Sequence, residues 1–120
     1  MSDEVRDWFL AVDGGGTRCR LALVSGTLDV RVEVGPANVT SNAAAAIREL
    51  TAGLSVLAAK AGLTLDLVCQ VPAYLGLAGY QAERDLERFR VELPLERVRV
   101  EDDRPAALRG ALGARDGALI

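Results

Sequence analysis

Phe9 to Val24 reads FLAVDGGGTRCRLALV and restricts the fold more than any other stretch of the chain. An apolar run ends in Asp13, breaks on three glycines and a threonine, and resumes with polar and apolar residues largely alternating. This pattern predicts two antiparallel strands joined by a tight turn. Asp13 closes the first strand, and Gly14, Gly15, Gly16 and Thr17 form the turn. Without Cβ atoms such a turn can take positive φ values and aim several backbone N–H groups at one anion, as a phosphate requires. Thr17 adds a hydroxyl donor, and Asp13 places a carboxylate where a magnesium ion or its water shell would sit beside that phosphate.

Asp-Gly and Gly-Gly pairs also serve plain hairpins, but a third glycine followed by threonine exceeds what a hairpin needs. A dinucleotide fingerprint is excluded, because Cys19 stands where the last glycine of GxGxxG would fall and a strand follows instead of a helix. A P-loop is excluded as well, since the single lysine, Lys60, lies outside any GK[ST].

At 120 residues the chain makes one domain, large enough for a real core and small for an enzyme that must enclose a substrate. Half of its residues are hydrophobic, which argues against disorder. A net charge of -3 disfavours nucleic acid and acidic membranes as partners, because both demand a basic face. The polar start MSDEVRD lacks the features of a signal peptide, and no apolar run reaches membrane-spanning length. Cys19 and Cys69, each expected in a strand and without metal-ligand spacing, read as reduced core residues of a cytoplasmic protein. Histidine is absent, so a general base must be a carboxylate or a less usual group.

Further along, Leu28 to Val34 alternates apolar and charged residues and predicts a half-exposed third strand at a flanking position. FLAV and VPAYLGLAG are nearly continuous apolar runs suited to the sheet centre. A helix is expected from about Asn42 to Ala61, with Ile47, Leu50, Leu54, Leu57, Ala58 and Ala61 on one stripe. Ser41 or Asn42 caps it and Gly62 ends it. Leu65 to Leu77 is expected as the next strand, with a bulge at Pro72 or a start beyond it. Gly76 to Gln81 makes a turn. A helix from Gln81 to Val91 then buries Ala82, Leu86, Phe89 and Leu93, and exposes Glu83, Arg84, Asp85, Glu87 and Arg88. Leu95 to Glu101 forms a fifth strand, followed by Asp102 and Asp103, a helix from Arg104 and Pro105, and a strand opening at GALI.

The order is three strands, helix, strand, helix, strand, helix. It predicts a mixed α/β sheet in which strands one, four and five run parallel. Ligands gather beyond the carboxyl ends of parallel strands, and Asp13, the Gly76 to Gly79 turn and Asp103 all lie at such ends. With phosphates on the glycine turn, Asp102 or Asp103 could face the γ-phosphoryl group. Either could accept the proton of a substrate hydroxyl, which leaves only late as the new bond forms. Asp103 can equally cap the helix that starts before Pro105, and the two roles can coexist. Asn38 fits a turn, and its amide could instead pair with sugar hydroxyls, donating and accepting at once.

The succession VDGGGTR, GPANV, GLAG and VEDDRPAALRGAL resembles the N-acetylglucosamine kinase and BadF/BadG family of the actin and hexokinase superfamily. The likeness covers nearly the whole chain. It implies a ribonuclease H-like, actin-like ATPase lobe with a βββαβαβα order and flanking helices. By it, Gly14 to Thr17 match the first phosphate loop, Asn38 the sugar-binding asparagine and Asp103 the sugar-contacting catalytic base. Asp102 occupies a place where the family often has asparagine, and Arg18 one where it often has Lys or Arg. The implied activity is ATP- and magnesium-dependent phosphorylation of an amino sugar, N-acetylglucosamine or glucosamine, at the 6-position. A homodimer is compatible with the sequence and not specified by it. The family's second phosphate loop and adenosine site would follow Ile120, so residues 1–120 read as the N-terminal lobe of a longer two-lobed kinase that would not turn over alone. Two other classes stay open. One is an activator ATPase that drives an electron into a 2-hydroxyacyl-CoA dehydratase, and the other is a non-catalytic sugar or nucleotide sensor.

Overall fold

The computed structural model describes residues 7–15, 17–40 and 42–102. Strands β1 (Phe9–Gly14), β2 (Cys19–Val24) and β3 (Asp29–Val34) lead into helices α1 (Ala43–Ala61) and α2 (Leu65–Cys69). Strand β4 (Ala73–Leu77), helix α3 (Ala82–Glu92) and strand β5 (Val98–Asp102) follow. The sheet runs β3-β2-β1-β4-β5. β1 and β3 flank β2 antiparallel, whereas β1, β4 and β5 are parallel neighbours, as the strand and helix alternation predicts. The helix expected from Arg104 and the GALI strand lie outside the described residues.

Apolar content sorts the strands. All five residues of β4 are buried, and Leu10, Ala11 and Val12 of β1 are too, so these two take the centre. β3 exposes Asp29, Arg31 and Glu33 and takes an edge. Helix α1 lies on β2 and β3. Ile47, Leu50, Leu54, Leu57 and Ala58 of the expected stripe are buried, and each large aliphatic side chain contributes about 1.5–3 kcal/mol relative to exposure. Asn42 caps it, its Oδ1 accepting from Ala45 N–H at 3.0 Å, and Gly62 ends it at φ 73°. No described helix is long and apolar enough to cross a membrane.

Two expected elements differ. Of the alternatives at Pro72, the start beyond it is the one found, with β4 beginning at Ala73, but Leu65–Cys69 coils into α2 instead of extending. Thr64 starts that helix, its Oγ1 accepting from Leu67 N–H at 3.2 Å, while Val68 and Cys69 turn inward. Cys69 is therefore helical, and only Cys19 lies in a strand.

Helix α3 sits rotated from the expected stripe. Phe89 and Leu93 are buried, with Phe89 edge-on to Tyr80 at 5.5 Å, but Leu86 and Ala82 are exposed. The inward position one turn before Phe89 is Asp85, expected on the solvated face and in fact 4% exposed.

Candidate active site

The carboxyl ends of β1, β4 and β5 fall on one edge of the sheet. Gly14 pairs with Leu77 and Leu77 with Asp102, so two strand spacings put Gly14 and Asp102 about 10 Å apart. One row back, Asp13, Gly76 and Glu101 align in the same way.

The loop after β3 crosses this edge and stitches it together. Ala37 N–H donates to Gly15 O at 3.1 Å and Val39 N–H to Ala78 O at 2.9 Å, while Ala78 N–H reaches Gly14 O at 2.8 Å. Ala37 and Val39 are buried, so the half-buried Asn38 between them is held where β1 meets β4. Gly35 N–H donates to Glu49 Oε1 at 2.9 Å and ties the loop's start to α1.

The glycine turn departs from expectation. Gly14 belongs to β1 and pairs with Cys19, and neither Gly14 nor Gly15 takes a positive φ. Gly15 N–H donates to Arg18 O at 3.0 Å, so this amide closes the hairpin. Gly14 lacks a side chain for packing: a Cβ there would lie 2.6 Å from Leu77 Cδ2 and 3.1 Å from Ala37 Cβ. Gly14→Ala is accordingly expected to cost about 1–3 kcal/mol of stability by overpacking, read from the shift in a urea unfolding midpoint. An unshifted midpoint would mean that Leu77 yields freely.

Thr17 and Arg18 stand exposed at the tip, Arg18 Nη1 lying 3.3 Å from Glu33 Oε2, and Gly16 lies outside the described residues. Among the described residues no set of three acids, histidines or cysteines is placed to hold a metal by itself. Magnesium rarely needs one, since it is commonly held by one or two carboxylates, waters and substrate phosphates. The half-buried Asp13 could supply one such carboxylate, and the Arg18 guanidinium is turned to Glu33 instead.

Three acids end β5 or follow it. Glu101 accepts from Tyr74 Oη–H at 3.0 Å and pairs with Arg99 Nε at 2.8 Å. Asp102 Oδ1 accepts from Gly79 N–H at 3.1 Å, so both acids have partners within the sheet edge. Asp103 lies outside the described residues. An open cleft of about 540 Å³ separates the start of α3, Tyr80 to Glu83, from Val100, Glu101 and Asp102. Its size suits a small molecule.

Both cysteines are kept as thiols. Burial first, then the Asp13 and Glu49 carboxylates, pushes Cys19 up to about 12, and burial raises Cys69. Sequence reasoning missed Arg84 and Asp85. The sequence signal was an acid in the first turn after Gln81, where a carboxylate can accept from the amide at the helix start, as Asp85 does from Gln81 N–H.

No family model matches the chain, and no curated protein matches its sequence. Among solved structures its fold matches a protein described as "Putative N-acetylglucosamine Kinase from Chromobacterium violaceum", at 24% identity and a TM-score of 0.67. The match covers 89% of this chain and 39% of that one, so the chain spans well under half the length of that protein. At this identity the likeness concerns architecture alone: a mixed five-stranded α/β sheet in the order β3-β2-β1-β4-β5 with its helices.

Proposed function

We propose that the chain is the N-terminal lobe of an ATP-dependent amino-sugar kinase, which transfers the γ-phosphoryl group to the 6-hydroxyl of N-acetylglucosamine or glucosamine. The alignment of β1, β4 and β5 carries this reading, because it brings the glycine turn, the Asn38 loop and the end of β5 to one sheet edge. The fold likeness to the Chromobacterium protein supports it.

In this reading the turn from Gly14 to Thr17 holds the phosphates through groups other than the Gly15 amide, which closes the hairpin, Asp13 holds a hydrated magnesium ion, and Asn38 hydrogen-bonds sugar hydroxyls. Magnesium, when bound, neutralises charge on the phosphate oxygens. Asp103 takes the proton from the sugar hydroxyl. The Asp102 carboxylate, engaged by Gly79 N–H, favours its neighbour for that task. Phosphoryl transfer asks mainly for alignment and charge stabilisation, and a rigid strand edge provides alignment.

The test is the full-length protein with ATP, magnesium and a panel of hexoses and amino sugars, with products identified by mass. A hexosamine 6-phosphate is the expected product. Sugar binding without turnover would instead identify a sensor. ATP hydrolysis indifferent to every sugar, in an iron-coloured protein, would identify an activator ATPase. The buried, protonated Cys19 does not suit iron ligation, so such a protein would need cluster ligands elsewhere.

A further inference from the structure

Gln81 stands at the N-cap of α3 but does not cap it. A residue in that position usually turns a short side-chain oxygen onto the first amides of its helix, and Gln81 makes no such bond. Its own N–H is met from one turn further on, by Asp85 Oδ2 at 3.0 Å. Arg84 fixes that carboxylate with Nε to Oδ1 and Nη2 to Oδ2, each at 2.8 Å, and its Nη2 also donates to Gly79 O at 2.7 Å. Gly79, Arg84 and Asp85 thus secure the turn into the helix. The exposed side-chain amide of Gln81 is left with no capping task.

Gln81 instead lines the open cleft of about 540 Å³ beside the end of β5. Tyr80, Ala82 and Val100 make part of its wall apolar, and the rest is Gln81 and three acids. No cation lines the cleft, because Arg84 is drawn back to Gly79 and Asp85, so a phosphate placed there would meet like charge alone. A sugar ring suits such walls better, since it offers an apolar C–H face and a rim of hydroxyls. Glu101 and Asp102 already accept from Tyr74 and Gly79. Carboxylates only accept, whereas a carboxamide donates and accepts at once, as neighbouring hydroxyls require. The cleft also adjoins the loop that carries Asn38, because Thr40 abuts Gly79, two residues before Gln81.

We propose that this cleft receives the acceptor sugar and that Gln81 reads its hydroxyls, donating from the amide nitrogen and accepting at the amide oxygen. This rests on the kinase reading and adds to it a binding residue on α3. Gln81 moves no proton, so its loss weakens sugar binding more than the chemical step.

The experiment uses the full-length protein with ATP, magnesium and the hexosamine that it phosphorylates, in the variants Gln81→Ala and Ala82→Trp. The first removes the carboxamide, and the second fills the cleft from an exposed position. The urea unfolding midpoint of Gln81→Ala is expected to match wild type, since no cap bond is lost. KM for the sugar is expected to rise about 10-fold in Gln81→Ala, the worth of a hydrogen bond or two, with kcat changing less. Ala82→Trp is expected to raise it at least as far, with KM for ATP unchanged in both variants. An unchanged sugar KM in either variant, or an equal rise in the two KM values, overturns the proposal while the kinase reading stands. A wild-type protein that phosphorylates no sugar overturns both.

Discussion

Asp103→Asn in the full-length protein is expected to lower sugar-dependent turnover by about 10²- to 10⁴-fold, the share a positioned general base supplies, if Asp103 is the base that the kinase reading makes it. The amide retains the shape of the acid and can accept a hydrogen bond, but it cannot take a proton. KM for ATP should hold, because phosphate binding in this scheme belongs to the turn after β1. Asp102→Asn is the informative partner. Its amide oxygen can still accept from Gly79 N–H, so a role in anchoring the turn largely survives the change. Steady-state kinetics on the two variants therefore separate the adjacent acids. A large loss in Asp102→Asn beside a silent Asp103→Asn would transfer the base to Asp102 and leave Asp103 as a helix cap. A silent pair would remove carboxylate base catalysis from the end of β5 altogether.

The sheet was legible because its cues are local and redundant. Strict alternation in β3 marks an edge, unbroken apolar runs in β1 and β4 mark the centre, and strand and helix alternation after α1 implies parallel neighbours. The convergence of strand ends follows from that topology. Asp13 and the Gly76 to Gly79 turn are expected at one edge and lie there, with Asp102 closing β5 on the same edge, while Asp103 lies outside the described residues. What escaped prediction was decided by caps, a proline and side-chain contacts that hydrophobic periodicity does not record. Whether Leu65–Cys69 coils or extends depends on the Thr64 cap and on Pro72 barring an earlier start to β4. The rotation of α3 depends on Phe89 meeting Tyr80 and on Asp85 finding Arg84, neither of which periodicity encodes. Gly14 does not take the left-handed backbone that the turn was expected to allow, and its missing side chain leaves room for Leu77 and Ala37. The glycine that does need a left-handed backbone at this edge is Gly79.

Gly79→Ala should destabilise the chain by about 3 kcal/mol or more, because two costs fall on one atom. A side chain at φ +82° is strained by about 1–2 kcal/mol wherever it occurs. Here the added Cβ would also run into Thr40, lying 2.8 Å from its Cβ and from its backbone nitrogen. Neither atom is the free end of a flexible side chain, so relief requires moving the Asn38 loop itself. Gly62 is the matched control, with φ +73° at the end of α1 and nothing within 4 Å of where a Cβ would stand. Gly62→Ala carries the backbone strain alone and is expected to cost about 1 kcal/mol. Urea unfolding of both variants isolates the collision as their difference. For a chain of this size the Gly79 variant should melt about 10 °C below wild type. Equal losses in the two variants would show that the loop gives way at no cost and that the Gly79 contact does not hold it. A clearly larger loss in Gly79→Ala than in Gly62→Ala would identify this turn as the joint between the loop after β3 and the end of β5, the two segments to which sugar binding and proton acceptance are assigned.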